Sequence, residues 1–146
     1  MDRYFFFYGT LIQGLDCPVS RALRGALAPC GPAWLRGALF AIDDPGGWYP
    51  ALLPGCDRVR GQLYRRTSRF DARALARLDL YEGYDLRRPA RSAYLRRSVK
   101  VRRASGGAVR AQVYVFNARL PDDAIRLDGG DFPRWLLRTG YRPYGE

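Results

Sequence analysis

A chain of 146 residues with a 47% hydrophobic and 14% aromatic share is one ordinary domain, long enough to bury a core without disulfides or metals, and its composition excludes disorder. Its net charge is +11, carried by 25 basic residues that are all arginine except Lys100. It contains no histidine, which excludes Ser-His-Asp and Cys-His nucleophilic systems and zinc sites built on imidazole.

Arg3 to Tyr8 reads as a strand, an apolar β-favouring run closed by Gly9. The run is too short to span a bilayer and no stretch resembles a signal peptide, so the expected location is the cytoplasm with no membrane partner. Val19 to Leu27 reads as a short helix between Pro18 and Pro29. Ala33 to Ile42 is a strand, Asp43 to Gly47 a turn, Tyr49 to Leu53 a short strand and Arg58 to Arg66 a better one. From Phe70 to Leu78 the apolar spacing is helical. Tyr94 to Arg103 and Val109 to Phe116 form a hairpin around Ser105-Gly106-Gly107. Asp131 to Thr139 is a last helix, with Asp131 to cap it and Gly140 to end it. These elements make an α+β domain spanning 1–146, a twisted mixed sheet with helices around it. Cys17, Cys30 and Cys56 are odd in number and without paired spacing, and read as reduced, buried small residues.

Glu82 stands out from its surroundings. At about 100° per residue it shares the apolar stripe of Leu75 and Leu78. It also sits in the last helical turn before Gly83, where a carboxylate meets the negative end of the helix dipole. Local rules broken together at one residue mark a functional site. With histidine absent, Glu82 leads the candidates for proton transfer near neutral pH. The bland alternative is a surface carboxylate paired with Arg87 or Arg88. Tyr8-Gly9-Thr10-Leu11 follows the first strand, and a loop of this kind exposes backbone N–H groups that can hold a carboxylate or an oxyanion.

The arginines are dense from Arg58 to Arg110 and could attract anions. They sit in loops and strands with no recognised nucleic-acid motif, so they read as solvated and nucleic acid is not the expected partner.

In order along the chain, Tyr8-Gly9-Thr10-Leu11, Gly37-Ala38-Leu39-Phe40, Tyr49-Pro50 and Val59-Arg60-Gly61-Gln62-Leu63-Tyr64 resemble elements of the gamma-glutamylcyclotransferase-like family. The later segments Leu78-Asp79-Leu80-Tyr81-Glu82-Gly83-Tyr84, Tyr94-Leu95-Arg96-Arg97, Ala111-Gln112-Val113-Tyr114-Val115 and Gly130-Asp131-Phe132 extend the resemblance. It includes the family's gamma-glutamylamine cyclotransferase branch. The resemblance implies a sheet closing toward a small β-barrel with flanking helices. It also implies a cofactor- and metal-free cyclisation of a gamma-glutamyl amino acid, peptide or amine to 5-oxoproline. Glu82 would be the general acid/base, and Tyr8, Gly9, Thr10, Leu11, Tyr94 and Tyr114 would bind the small-molecule substrate. The loops Asp43–Gly47 and Asp85–Ser92 would choose the leaving half, with a basic rim of Arg87, Arg88 and Arg91 favouring an anionic one. Two other readings stay open: a non-enzymatic member binding a metabolite or protein, and a basic nucleic-acid-binding domain. The sequence leaves oligomeric state undecided.

Overall fold

Strand β1 (Tyr4–Phe7) is apolar on both faces because both are covered. Phe5 and Phe7 pack into one buried cluster, while Phe6 and, beyond the strand, Tyr8 pack into another. The computed structural model describes residues 1–9 and 18–145, apart from the side chains of Pro18, Ser20 and Ala22. Thr10 and Leu11 of the expected substrate loop, and Cys17, lie outside the described residues.

Two long hairpins flank β1. One is β2 (Leu27–Ile42) with β3 (Tyr49–Arg66), and the other is β4 (Tyr94–Arg103) with β5 (Ala108–Phe116). β1 pairs antiparallel with β3, Phe5 opposite Tyr64, and parallel with β5, Phe5 opposite Gln112. β2 meets β4 at Ala33 and Arg103 and also pairs with β3, so the order β3-β1-β5-β4-β2 returns on itself. The five strands form a closed mixed barrel, as the resemblance implied. Closure leaves few open edges. A two-residue strand, β6 (Ile125–Arg126), is added on β2 beside Phe40 and Ala41.

Helix α2 (Ala72–Tyr81) starts where the Asp71 carboxylate accepts the Ala74 N–H at 2.9 Å. Its fully buried Leu78 joins the Phe5 and Phe7 cluster, with Leu75 packed alongside. Helix α3 (Phe132–Thr139) has the expected cap at Asp131 and the expected left-handed stop at Gly140. It buries Phe132, Trp135 and Leu136 against the Phe6 cluster.

The structure corrects several sequence readings. Helix α1 (Pro18–Leu23) ends well before Leu27, because Gly25 takes a positive φ of 80° and Leu27 is already paired with Arg66 in the barrel. The two strands read at Tyr49–Leu53 and Arg58–Arg66 are one strand. Gly37 faces Asp57 while Ala38 faces Leu53, so Pro54, Gly55 and Cys56 form a bulge. Cys30 and Cys56 are exposed rather than buried, since both sit where the β2–β3 register shifts. No described helix is long and apolar enough to cross a membrane.

Candidate active site

The C-terminal end of α2 is a full Schellman turn. The Tyr84 N–H donates to the Asp79 carbonyl at 2.9 Å and the Gly83 N–H to the Leu80 carbonyl at 3.1 Å. Gly83 supplies the required left-handed backbone, with φ of 69°. Glu82 is therefore fixed as the last residue of the helical ladder, its own N–H on the Leu78 carbonyl at 3.1 Å.

Glu82 lines a cavity of about 400 Å³, within the range of small-molecule sites. The end of β1 brings Tyr8 and Gly9 to this cavity, the start of β3 brings Tyr49 and Pro50, and the paired ends of β4 and β5 bring Tyr94, Tyr114 and Phe116. Five of the expected site residues, Tyr8, Gly9, Glu82, Tyr94 and Tyr114, thus share one wall system.

Among the described residues Glu82 makes no ion pair, with Arg87 and Arg88 or with any other arginine. Burial pushes its carboxyl up to about 8, and the neighbouring Asp79 carboxylate pushes the same way. The residue keeps part of its surface open, but its carboxyl is enclosed enough for desolvation to dominate.

Asp79 is the site residue that sequence reasoning passed over. Its carboxylate is buried and receives the Tyr114 hydroxyl at 2.6 Å and Arg96 Nε at 2.9 Å. Arg96 Nη1 continues to Gln112 Oε1 at 2.6 Å, and Gln112 Nε2 to Asp2 Oδ2 at 2.8 Å. The signal available was the spacing of Asp79 and Glu82, three residues apart on a helix, which turns both carboxylates toward neighbouring positions.

The tyrosines are already engaged. Tyr8 donates its hydroxyl to the Tyr114 carbonyl, Tyr94 donates to the Pro50 carbonyl at 2.6 Å, and Tyr114 donates to Asp79. Burial holds all three hydroxyls well above the usual tyrosine range, and the charge of Glu82 adds to the effect at each. They stay protonated at any working pH. Their free lone pairs can accept from a ligand, whereas donation to it requires leaving these partners.

The expected basic rim is not part of this wall. Arg87, Arg88 and Arg91 are absent from the described lining. Ser92 Oγ accepts the Asp85 N–H at 2.8 Å and donates to the Arg88 carbonyl at 3.2 Å, folding the loop onto itself. The other expected selector loop does reach the cavity, through Asp44, and the described lining includes one arginine, Arg119. Among the described residues no group of three or more His, Cys, Asp or Glu could hold a metal.

A sequence model of the gamma-glutamyl cyclotransferase, AIG2-like family matches residues 5–134, so the chain belongs to that family. No curated protein matches the sequence significantly. Solved structures share the fold. An AIG2-like protein from Mus musculus is 22% identical, with a TM-score of 0.61 over 83% of this chain and 81% of its own. An uncharacterised protein from Pyrococcus horikoshii is 20% identical, with a TM-score of 0.60 over 94% and 95%. A gamma-glutamyl cyclotransferase is 15% identical, with a TM-score of 0.61 over 100% and 91%.

Proposed function

We infer that this chain has a cyclotransferase-type function, a reading that its family and fold support. We propose that this chain converts a gamma-glutamyl amino acid, peptide or amine to 5-oxoproline with Glu82 as general acid and base. The observation that carries this reading is the cavity-lining Glu82 carboxyl, unpaired among the described residues and brought to about 8 by its surroundings. A carboxyl there exchanges its proton near neutral pH, as a catalyst of proton transfer must.

The substrate's α-ammonium gives a proton to ionised Glu82, and the freed amine attacks the γ-carbonyl carbon. Glu82 gives that proton to the leaving nitrogen as the tetrahedral intermediate's C–N bond breaks, then takes the surplus proton from the ring nitrogen and passes it to the released amine, which departs as its ammonium. Tyr8, Gly9, Thr10 and Leu11 are assigned the substrate's polar groups, and Tyr94 and Tyr114 the walls that hold it folded. Ring closure is intramolecular, so fixing one conformer lowers the barrier by up to roughly 7–11 kcal/mol.

The test is 5-oxoproline release, read by mass spectrometry, from gamma-glutamyl amino acids, gamma-glutamyl amines and glutathione, with wild type and Glu82→Gln in parallel. Product that depends on Glu82 supports the reading. A folded Glu82→Gln protein with wild-type turnover overturns the mechanism, and a folded wild type silent on every substrate counts against the activity.

A further inference from the structure

Tyr144, on the C-terminal segment 141–145, lines the cavity together with Trp48 and Tyr49. The Trp48 N–H donates to the Arg142 carbonyl at 2.8 Å and the Tyr144 N–H to the Trp48 carbonyl at 2.8 Å, a single parallel bridge that ties this segment to the residue just before β3. Two glycines let it approach. A Cβ on Gly47 would lie 2.5 Å from the Pro143 carbonyl oxygen, and one on Gly46 would lie 2.8 Å from Tyr144 Cε2. The approach delivers the Tyr144 ring to the cavity, edge-to-face with Tyr49 at 5.7 Å.

Contacts between the walls order the cavity. The Ala93 N–H on the Gly83 carbonyl at 3.1 Å sets Tyr94 beside Glu82, and the Tyr94 hydroxyl on the Pro50 carbonyl at 2.6 Å reaches toward Tyr49, which in turn packs on Tyr144. Glu82 therefore stands at the reacting end, and Tyr49, Tyr144 and Asp44 at the far end, where the leaving half of a gamma-glutamyl substrate would extend. Trp48, also on this wall, is clamped by Tyr141 stacked at 4.9 Å and Trp135 at 5.1 Å. A rigid aromatic surface of this kind binds at low entropic cost and favours a flat apolar ring.

Polar selection there is sparse. The Asp44 carboxylate already accepts the Gly46 N–H at 2.9 Å. Arg119 is exposed at the cavity, and among the described residues no hydrogen bond or ion pair occupies its guanidinium. It lines the same cavity as Tyr49 and Tyr144, and its chain neighbour Leu120 packs on the buried cluster that Tyr49 also packs on. A free guanidinium beside an aromatic wall matches a group carrying both a ring and a carboxylate. A small leaving residue would leave the aromatic wall wet, and a peptide-like one would bring amides that this wall has few free groups to meet.

Resting on the cyclotransferase reading, we propose that the leaving half is an aromatic amino acid, its ring against Tyr49, Tyr144 and Trp48 and its carboxylate on Arg119.

The experiment measures kcat/KM by 5-oxoproline release and Kd by calorimetry in parallel. The ligands are γ-glutamyl-phenylalanine, γ-glutamyl-alanine, glutathione and γ-glutamyl-phenethylamine, which keeps the ring but lacks the carboxylate. Wild type is compared with Tyr144→Ala and Arg119→Ala, each checked for folding by thermal unfolding. The expected phenylalanine-to-alanine ratio in kcat/KM is about ten- to a hundred-fold, the scale of burying one ring. It should collapse in Tyr144→Ala, while Arg119→Ala should erase the preference for γ-glutamyl-phenylalanine over the phenethylamine. Turnover that favours alanine or glutathione, or ignores the ring, overturns the proposal and leaves the cyclotransferase reading standing. Absent turnover with the same ratio in Kd, lost in Tyr144→Ala, sinks the cyclotransferase reading and supports the aromatic site. Neither turnover nor a ring-dependent Kd overturns both.

Discussion

Asp79 and Glu82 lie three residues apart at the end of α2, and among the described residues only the Asp79 carboxylate has side-chain partners. It receives Arg96 Nε at 2.9 Å and the Tyr114 hydroxyl at 2.6 Å, while Glu82, without such partners among the described residues, rises to about 8. Asp79 is tied into a structural network, and its charge adds to the burial that keeps Glu82 protonated.

This division sets the pH response of activity. Glu82 must be ionised to take the substrate's proton, so kcat/KM should rise with pH along a limb centred near 8 and then level off. Asp79→Asn removes a negative charge beside Glu82 and leaves Arg96 in place, so the limb should move to lower pH. A pH–rate profile of both proteins checks this, and an unmoved limb would remove Asp79 from the account.

Stability should respond in the opposite sense. The folded-state value of Glu82 is raised from its ordinary 4.5 to about 8. Below about 4.5 both folded and unfolded chains hold the proton, and Glu82 carries no penalty. Between those values the unfolded chain loses its proton first, so stability falls as pH rises and the loss is complete above about 8. Glu82→Gln removes this penalty by up to about 5 kcal/mol. Urea unfolding at pH 4 and pH 8.5 should show the variant gaining on wild type only at the higher pH, even as turnover drops by about two to four orders of magnitude.

The Asp79–Arg96 pair is worth more than the surface pairs. Asp79→Ala strands a largely enclosed guanidinium and should cost about 3–5 kcal/mol in denaturant unfolding. Asp57→Ala breaks the exposed pair with Arg126, 2.8 Å apart, and should cost less than about 1 kcal/mol. Equal costs would mean that burial does not set the difference.

Gly47→Ala should detach the C-terminal segment. Its φ of 118° is strained for any side chain, and the added Cβ would meet the Pro143 backbone. Trp48 then loses its stacking with Tyr141, and the expected readouts are a red-shifted tryptophan emission and faster proteolysis of the C terminus. The barrel, which does not depend on this segment for closure, should keep its far-ultraviolet dichroism.

Much of the site was legible because it depends on local chemistry. Leu75, Leu78 and Glu82 fall on one helical stripe by spacing alone, and Gly83 ends that helix for a backbone reason any sequence reader can apply. The hairpin at Ser105-Gly106-Gly107 was legible likewise, and both of its glycines take positive φ. Asp43 to Gly47 read only as a turn. That Gly46 and Gly47 also admit Tyr144 is a contact across nearly a hundred residues, which no local pattern encodes.

The sequence by itself determined the strand and helix order, the helix caps and the misplaced carboxylate at Glu82, since periodicity and turn chemistry act over a few residues. The tertiary structure decided which distant partners meet. It extended β2 back to Leu27 because pairing with Arg66 outcompeted the helical preference there. It joined two apparent strands through a bulge, exposed Cys56 on it, and turned Arg87, Arg88 and Arg91 away from the cavity that Arg119 borders. Above all, it spent Arg96 on Asp79 rather than Glu82. Desolvation and charge depend on all neighbours at once, so only the closed barrel could fix which of the two carboxylates remains free to carry a proton.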